Sequence, residues 1–114
     1  MKKLIALLAF VSLPVAAQTV GPDEALLEWD HAGGAASFAL ERKAAACAAG
    51  GTWAQVTTIP GTERSYTERG LPRGTQQCWR IYAENEFGER SGPSNEVGKS
   101  IPGLPSAPTN LRVR

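Results

Sequence analysis

The tightest constraint on this chain is a two-residue rhythm. "ALLEWD" sets Ala25, Leu27 and Trp29 on one side and Leu26, Glu28 and Asp30 on the other; "SFALERK" sets Phe38 and Leu40 against Ala39 and Glu41. Apolar residues recurring at every second position bury one face of a strand, whereas a helix would scatter them around its axis. "TWAQVTTI", "RSYT", "QQCWRIYAEN" and "NEVGKSI" are further strand-like segments. Between the strands stand "HAGGAA", Pro60-Gly61, "GLPRGT" and "EFGERSGPS", the Gly- and Pro-rich punctuation of turns and loops. "AAACAAGG" has helical composition, but it is short and ends in two glycines, so it reads as a connection carrying Cys47. Six or seven short strands, with no helix to serve as a crossover, predict an all-β, two-sheet antiparallel β-sandwich.

The first residues follow a different grammar. Lys2 and Lys3 precede an apolar run from Leu4 to Leu13, Pro14 breaks it, and Val15 and Ala17 precede a cut before Gln18. This is the pattern of a secretory signal peptide over residues 1–17, and the run is too short to cross a bilayer of ~30 Å as a helix. The mature chain is expected to be soluble, without a membrane span, and secreted or periplasmic. Removing Lys2 and Lys3 leaves ten basic against eleven acidic side chains, scattered along the chain. That balance gives no basic face for nucleic acid, and Arg42-Lys43 reads as a solvated strand end. Cys47 and Cys78 are the only cysteines. In an oxidising compartment such a pair predicts a disulfide, closing a loop of about thirty residues and worth on the order of 3–4 kcal/mol. Two cysteines without histidines make a poor zinc site, and no metal or other cofactor is expected.

The ordered set of Trp29, "FALER", "SYTERGL", "RGT", "CWRIYAEN" and "FGERSGPSN" resembles a fibronectin type III domain of secreted bacterial proteins, from about Ala25 to Ile101. The resemblance implies an immunoglobulin-like sandwich with Trp29 in its centre, Leu71 in the loop before the penultimate strand, and Trp79, Ile81 and Ala83 facing inward on that strand. Asn85 and Gly88 match the turn after it. Two residues depart from the pattern. Gln77 stands where the family has a tyrosine, which implies a weaker or wetter corner that an adjacent Cys47–Cys78 bond can compensate. Glu68 stands where animal members have an apolar residue, although bacterial members often carry an acid there.

A larger departure lies at the front. Such domains begin with a strand of the form Pro–x–x–Leu–x–Val, yet only "QTVGPDEA" separates the expected cut from the strand that starts at Ala25. The chain ends in "PSAPTNLRVR", which supplies Pro108, Leu111 and Val113 in that spacing. Three arrangements follow. The tail folds back on its own domain, although "SIPGLPS" barely spans the ~25–30 Å this requires at ~3.3–3.6 Å per residue. Alternatively it enters the edge of another copy, Leu111 and Val113 inward, giving open head-to-tail chains. Otherwise it is the loose stub of a further domain.

Chemistry finds little footing, and no catalytic residue is assigned. His31 is the only histidine, and a nucleophilic triad would need Ser37 or Ser91 within its reach. No carboxylate pair stands out for glycoside hydrolysis. Binding has more candidates. The loops "DHAGGAAS" and "ENEFGERSG" should share one pole. Phe87, beside Arg90, is either a contact residue or packs over its own loop. Trp53 either stacks on a sugar or a neighbouring protein, or covers the sheet near the disulfide. The expected organisation is a signal peptide (1–17), a fibronectin type III-like sandwich (18–103) lacking its first strand, and a strand-like tail (104–114). The expected function is that of an exported, non-catalytic structural or interaction protein. It would assemble head-to-tail with itself by donating Leu111 and Val113. Alternatively it is an adhesive or carbohydrate-binding module that meets another extracellular protein or a glycan through Trp53, Phe87 and Arg90.

Overall fold

The computed structural model describes residues 20–114, so the expected signal peptide, 1–17, lies outside the described residues. Six strands form where the alternation places them: β1 (Ala25–Glu28), β2 (Ser37–Lys43), β3 (Ala54–Pro60), β4 (Ser65–Glu68), β5 (Gln76–Glu84) and β6 (Val97–Ser100). They build two antiparallel sheets, β1-β4 and β3-β2-β5-β6. This is a β-sandwich of the immunoglobulin/fibronectin type III kind. Trp53 falls just before β3 rather than within it.

Ala25, Phe38, Leu40, Ile59, Leu71, Trp79 and Ile101 form the buried core between the sheets. Across it runs a polar clamp. Glu68 pairs in register with Ala25, so the alternation that turns Ala25 inward turns Glu68 inward as well. Glu68 is only 8% exposed, and its carboxylate accepts a 2.8 Å hydrogen bond from Trp79 Nε1 and pairs with the Arg42 guanidinium. Glu68 belongs to the small sheet; Arg42 and Trp79 belong to the large one. A buried carboxylate with two donors is satisfied, and here it ties the sheets together.

The basic pair is therefore not a solvated strand end. Arg42 serves Glu68, and Lys43 is buried with its Nζ donating to the carbonyls of Cys47 (2.9 Å) and Ala49 (2.7 Å). Lys43 thus organises the loop that carries Cys47, which bonds to Cys78 across 31 residues of sequence. Trp29 also differs from the family expectation. It follows β1, is half-buried, and meets Phe38 edge-on at a centroid distance of 5.5 Å, while Trp79 takes the centre. The reason is local: Trp29 sits on a flank of the sandwich that the described residues leave open.

One turn demands glycine for space. Gly61 donates its amide to Ala36 O at 3.1 Å, and a Cβ at Gly61 would stand 2.0 Å from Ala35 O. Gly61→Ala must push two loops apart and should destabilise the domain by about 1–3 kcal/mol in urea unfolding. Gly92→Ala, where a Cβ meets nothing within 4 Å, should lie close to the parent.

Candidate functional site

The open flank is a cleft of about 490 Å³ between the two sheets. Leu27 and Trp29 form one wall, Phe38 and Trp79 the floor, and Ile81, Ala83, Val97 and the 91–95 segment the other wall. Phe38 and Trp79 are buried, whereas Leu27, Trp29, Ile81 and Ala83 are only half-buried and Val97 is 45% exposed. Alternation aims these side chains at the core, so their exposure marks a wall that a closed sandwich would cover.

The second wall is irregular for a reason legible in "SGPS". Ser91 and Ser94 bond to β5 with backbone and hydroxyl: Ala83 N donates to Ser91 Oγ at 2.9 Å and Ile81 N to Ser94 Oγ at 3.0 Å. Ser91 N and Ser94 N return bonds to Ala83 O and Ile81 O, each at 2.8 Å. The upper half of β5 is thereby satisfied by a Gly-Pro-containing segment, and β6 itself spans only Val97–Ser100.

The first wall has an unpaired backbone edge. Trp29 N donates to Arg64 O at 3.1 Å, extending the β1-β4 ladder. Antiparallel strands alternate the direction of their amides, so those of Leu26 and Glu28 point off the opposite edge. Among the described residues no strand pairs there. Val20–Glu24 form a turn instead, with Glu24 N donating to Gly21 O at 3.2 Å, and Lys99 Nζ pins Glu24 O at 2.7 Å. The shielded Trp29 Nε1 also finds no acceptor among the described residues.

The tail leaves the domain at Ile101, which is buried and exchanges hydrogen bonds with Thr75 and Gly74. Arg73 Nε donates to Pro102 O at 2.7 Å and holds the exit. Residues 102–114 form no strand; Leu111 and Val113 are each 98% exposed.

Trp53 and Arg90 belong to a different feature, a stack on the outer face of the large sheet. Arg80 lies 4.1 Å from the Trp53 ring centroid and 5.4 Å from that of Tyr82; Arg90 covers Tyr82 at 4.9 Å and Lys43 approaches Trp53 at 5.1 Å. Glu41 pairs with Arg80 at 2.8 Å and Arg90 at 3.7 Å, and Glu84 pairs with Arg90 at 2.6 Å. The Glu84 hydrogen bond, more than any other cause, raises the Arg90 pKa above its ordinary value. Register puts Glu41 directly opposite Arg80, a cross-strand pair. Trp53 is thus engaged with Arg80 and Lys43.

Phe87 stands apart from that stack, 80% exposed at a loop tip. Asn85 Oδ1 accepts from the amides of Phe87 (2.9 Å) and Glu89 (3.0 Å), and Gly88 takes φ 81°, so the tip is braced while the side chain it carries stays largely in solvent. The loops of that pole do meet: His31, Gly34 and Ala35 from one and Asn85, Glu89 and Ser91 from the other line one shallow depression. His31 Nδ1 accepts from Gly33 N at 3.1 Å. Ser37 Oγ donates to Glu84 and Ser91 Oγ to Gly92 O, so neither hydroxyl addresses the imidazole. Glu96 comes within 3.8 Å of Cys78 Sγ, but both cysteine sulfurs are committed to their disulfide and offer no thiolate. Gln77 is buried, donates to Thr75 Oγ1 at 2.9 Å and leaves its Oε1 without a partner among the described residues. No helix among the described residues is long and apolar enough to cross a membrane.

The residues that sequence reasoning undervalued are Glu68, Lys43 and the Trp29 flank. Glu68 was detectable from its phase, two residues after Tyr66 on the inward side of β4. Lys43 gave no signal, because its partners are loop carbonyls whose position depends on the disulfide.

No family model and no curated protein matches the chain. Among solved structures, 32 chains match. One is the twitchin kinase region from C. elegans, described as Fn31-NL-kin-CRD-Ig26, similar at 26% identity with a TM-score of 0.59. The match covers 74% of this chain and 15% of that one, so the chain spans a small part of that fragment's length. The aligned part is Ig/Fn3-like. The likeness agrees with the sandwich, and the site rests on this chain's own geometry.

Proposed function

We propose that this protein is an exported, non-catalytic structural protein that assembles head-to-tail, the tail of one copy entering the cleft of the next. The observation that carries this reading is the coincidence of two incomplete features in one chain. The β1 edge and its apolar cleft want a strand, and Leu111 and Val113 form an exposed strand-like pair without a sheet. Strand addition would satisfy backbone groups on both sides and bury alternate side chains. Because donor and acceptor surfaces differ, the contact would propagate as open chains. The disulfide and the leader-like residues 1–17 favour an oxidising location, secreted or periplasmic. The resemblance to fibronectin type III domains of secreted bacterial proteins suits a binding module. The test is sedimentation velocity of the mature chain beside a form ending at Leu104. Concentration-dependent oligomers should form in the first and vanish in the second.

One observation favours a second reading. Phe87 is displayed on a braced turn, and a preorganised exposed aromatic suits an adhesive surface for another extracellular protein. Under that reading Phe87→Ala should weaken binding to that partner at least about tenfold while leaving sedimentation unchanged. A glycan on Trp53 is less favoured, since Arg80 and Lys43 already engage the ring.

A further inference from the structure

We infer that the cleft reads the tail in one register, Leu111 opposite Trp29, Arg112 opposite Glu28 and Val113 opposite Leu27, with the tail supplied by a second copy of this chain. The inference rests on the tail-donation reading and adds what selects the occupant. Two conditions fix the register. Parity comes first: Trp29 and Leu27 line the cleft, so Leu111 and Val113 must lie opposite odd-numbered residues to be buried with them.

Three antiparallel registers satisfy parity near β1. In one, Val113 falls opposite Ala25, already 3% exposed and without room, and Arg112 falls opposite the apolar Leu26. Another carries Leu111 past Trp29, whose bond to Arg64 ends the β1-β4 ladder, to His31. The register named here gives both aliphatic side chains a half-buried apolar partner. It also brings Arg112 across from the exposed carboxylate of Glu28, with Arg114 on the diagonal. Its backbone fits as well. Glu28 is one of the residues whose amide and carbonyl point off the free edge, and in this register it bonds the backbone of Arg112.

The inference is tested with two full-length variants, Glu28→Arg and Arg112→Glu, by sedimentation equilibrium alone and in equimolar mixture. Both positions are exposed, so folding is not at stake, and unchanged thermal melting checks this. Either reversal sets like charges opposite each other and should weaken self-association about tenfold. The mixture should recover association close to that of the parent, because each groove then meets a tail of opposite charge. If the parent associates through its tail but neither reversal changes it, or the mixture is no better than its components, the register is wrong and donation alone survives. If the parent and its truncated form are both monomeric, donation and register fail together.

Discussion

Trp79→Ala is expected to remove about 5 kcal/mol of stability and leave the domain close to unfolded in water. Trp79 is 1% exposed and the largest fully buried side chain. Emptying a buried tryptophan to alanine costs about 3–5 kcal/mol through lost contacts and the cavity left behind. The same change deprives Glu68 of the indole donor at 2.8 Å, and an under-satisfied buried carboxylate adds about 1–3 kcal/mol. Domains of this size have about 5–15 kcal/mol in total. Trp79→Phe separates the two effects. It keeps most of the ring volume and loses the N–H, so about 2 kcal/mol should remain as the clamp's share. Urea unfolding followed by far-UV circular dichroism measures both. A phenylalanine variant as stable as the parent would show that the Trp79–Glu68 bond stabilises nothing.

Deleting residues 105–114 is expected to abolish assembly outright and leave the fold intact. The intact fold follows from the tail's position: Leu111 and Val113 are almost wholly exposed, and the last buried residue is Ile101, upstream of the cut. The size of the loss follows from what one tail can contribute. Two aliphatic side chains bring about 2 kcal/mol each on burial, and a few strand hydrogen bonds bring about 1 kcal/mol each. Association and ordering of a Pro-rich segment offset much of this. The single contact should therefore be weak, roughly in the high-micromolar range. Long assemblies should need concentrated protein, and dilution alone should dissolve them. An unchanged sedimentation profile after deletion would mean that the copies meet elsewhere, with Phe87 the first place to look.

The strands were legible because their information is local. Alternation in "SFALERK" and "QQCWRIYAE" needs no partner to be read, and β2 and β5 lie where it puts them. The disulfide was legible because two cysteines leave one pairing. What escaped was relational. Lys43 next to Arg42 looks solvated until the loop from Cys47 to Ala49 folds over it and presents carbonyls. Glu68 looks like a surface acid until β4 pairs with β1 and turns it toward Arg42 and Trp79. Trp29 and Trp79 both suit the centre of a sandwich by pattern; which one takes it depends on which flank is covered. The cleft was legible only as an expected gap. Its walls, including the serine-bonded segment along Ile81 and Ala83, emerge from the assembled sheets.

Site-resolved amide exchange on the free edge of β1 tests the central claim most directly. The Leu26 and Glu28 amides point away from β4, whereas the Trp29 amide is held by Arg64. If neighbouring tails occupy the cleft, Leu26 and Glu28 will exchange slowly in concentrated full-length protein. They will exchange quickly on dilution or after removal of residues 105–114, while Trp29 stays protected throughout. Rapid exchange at Leu26 and Glu28 under every condition, or protection that persists without the tail, would contradict the account.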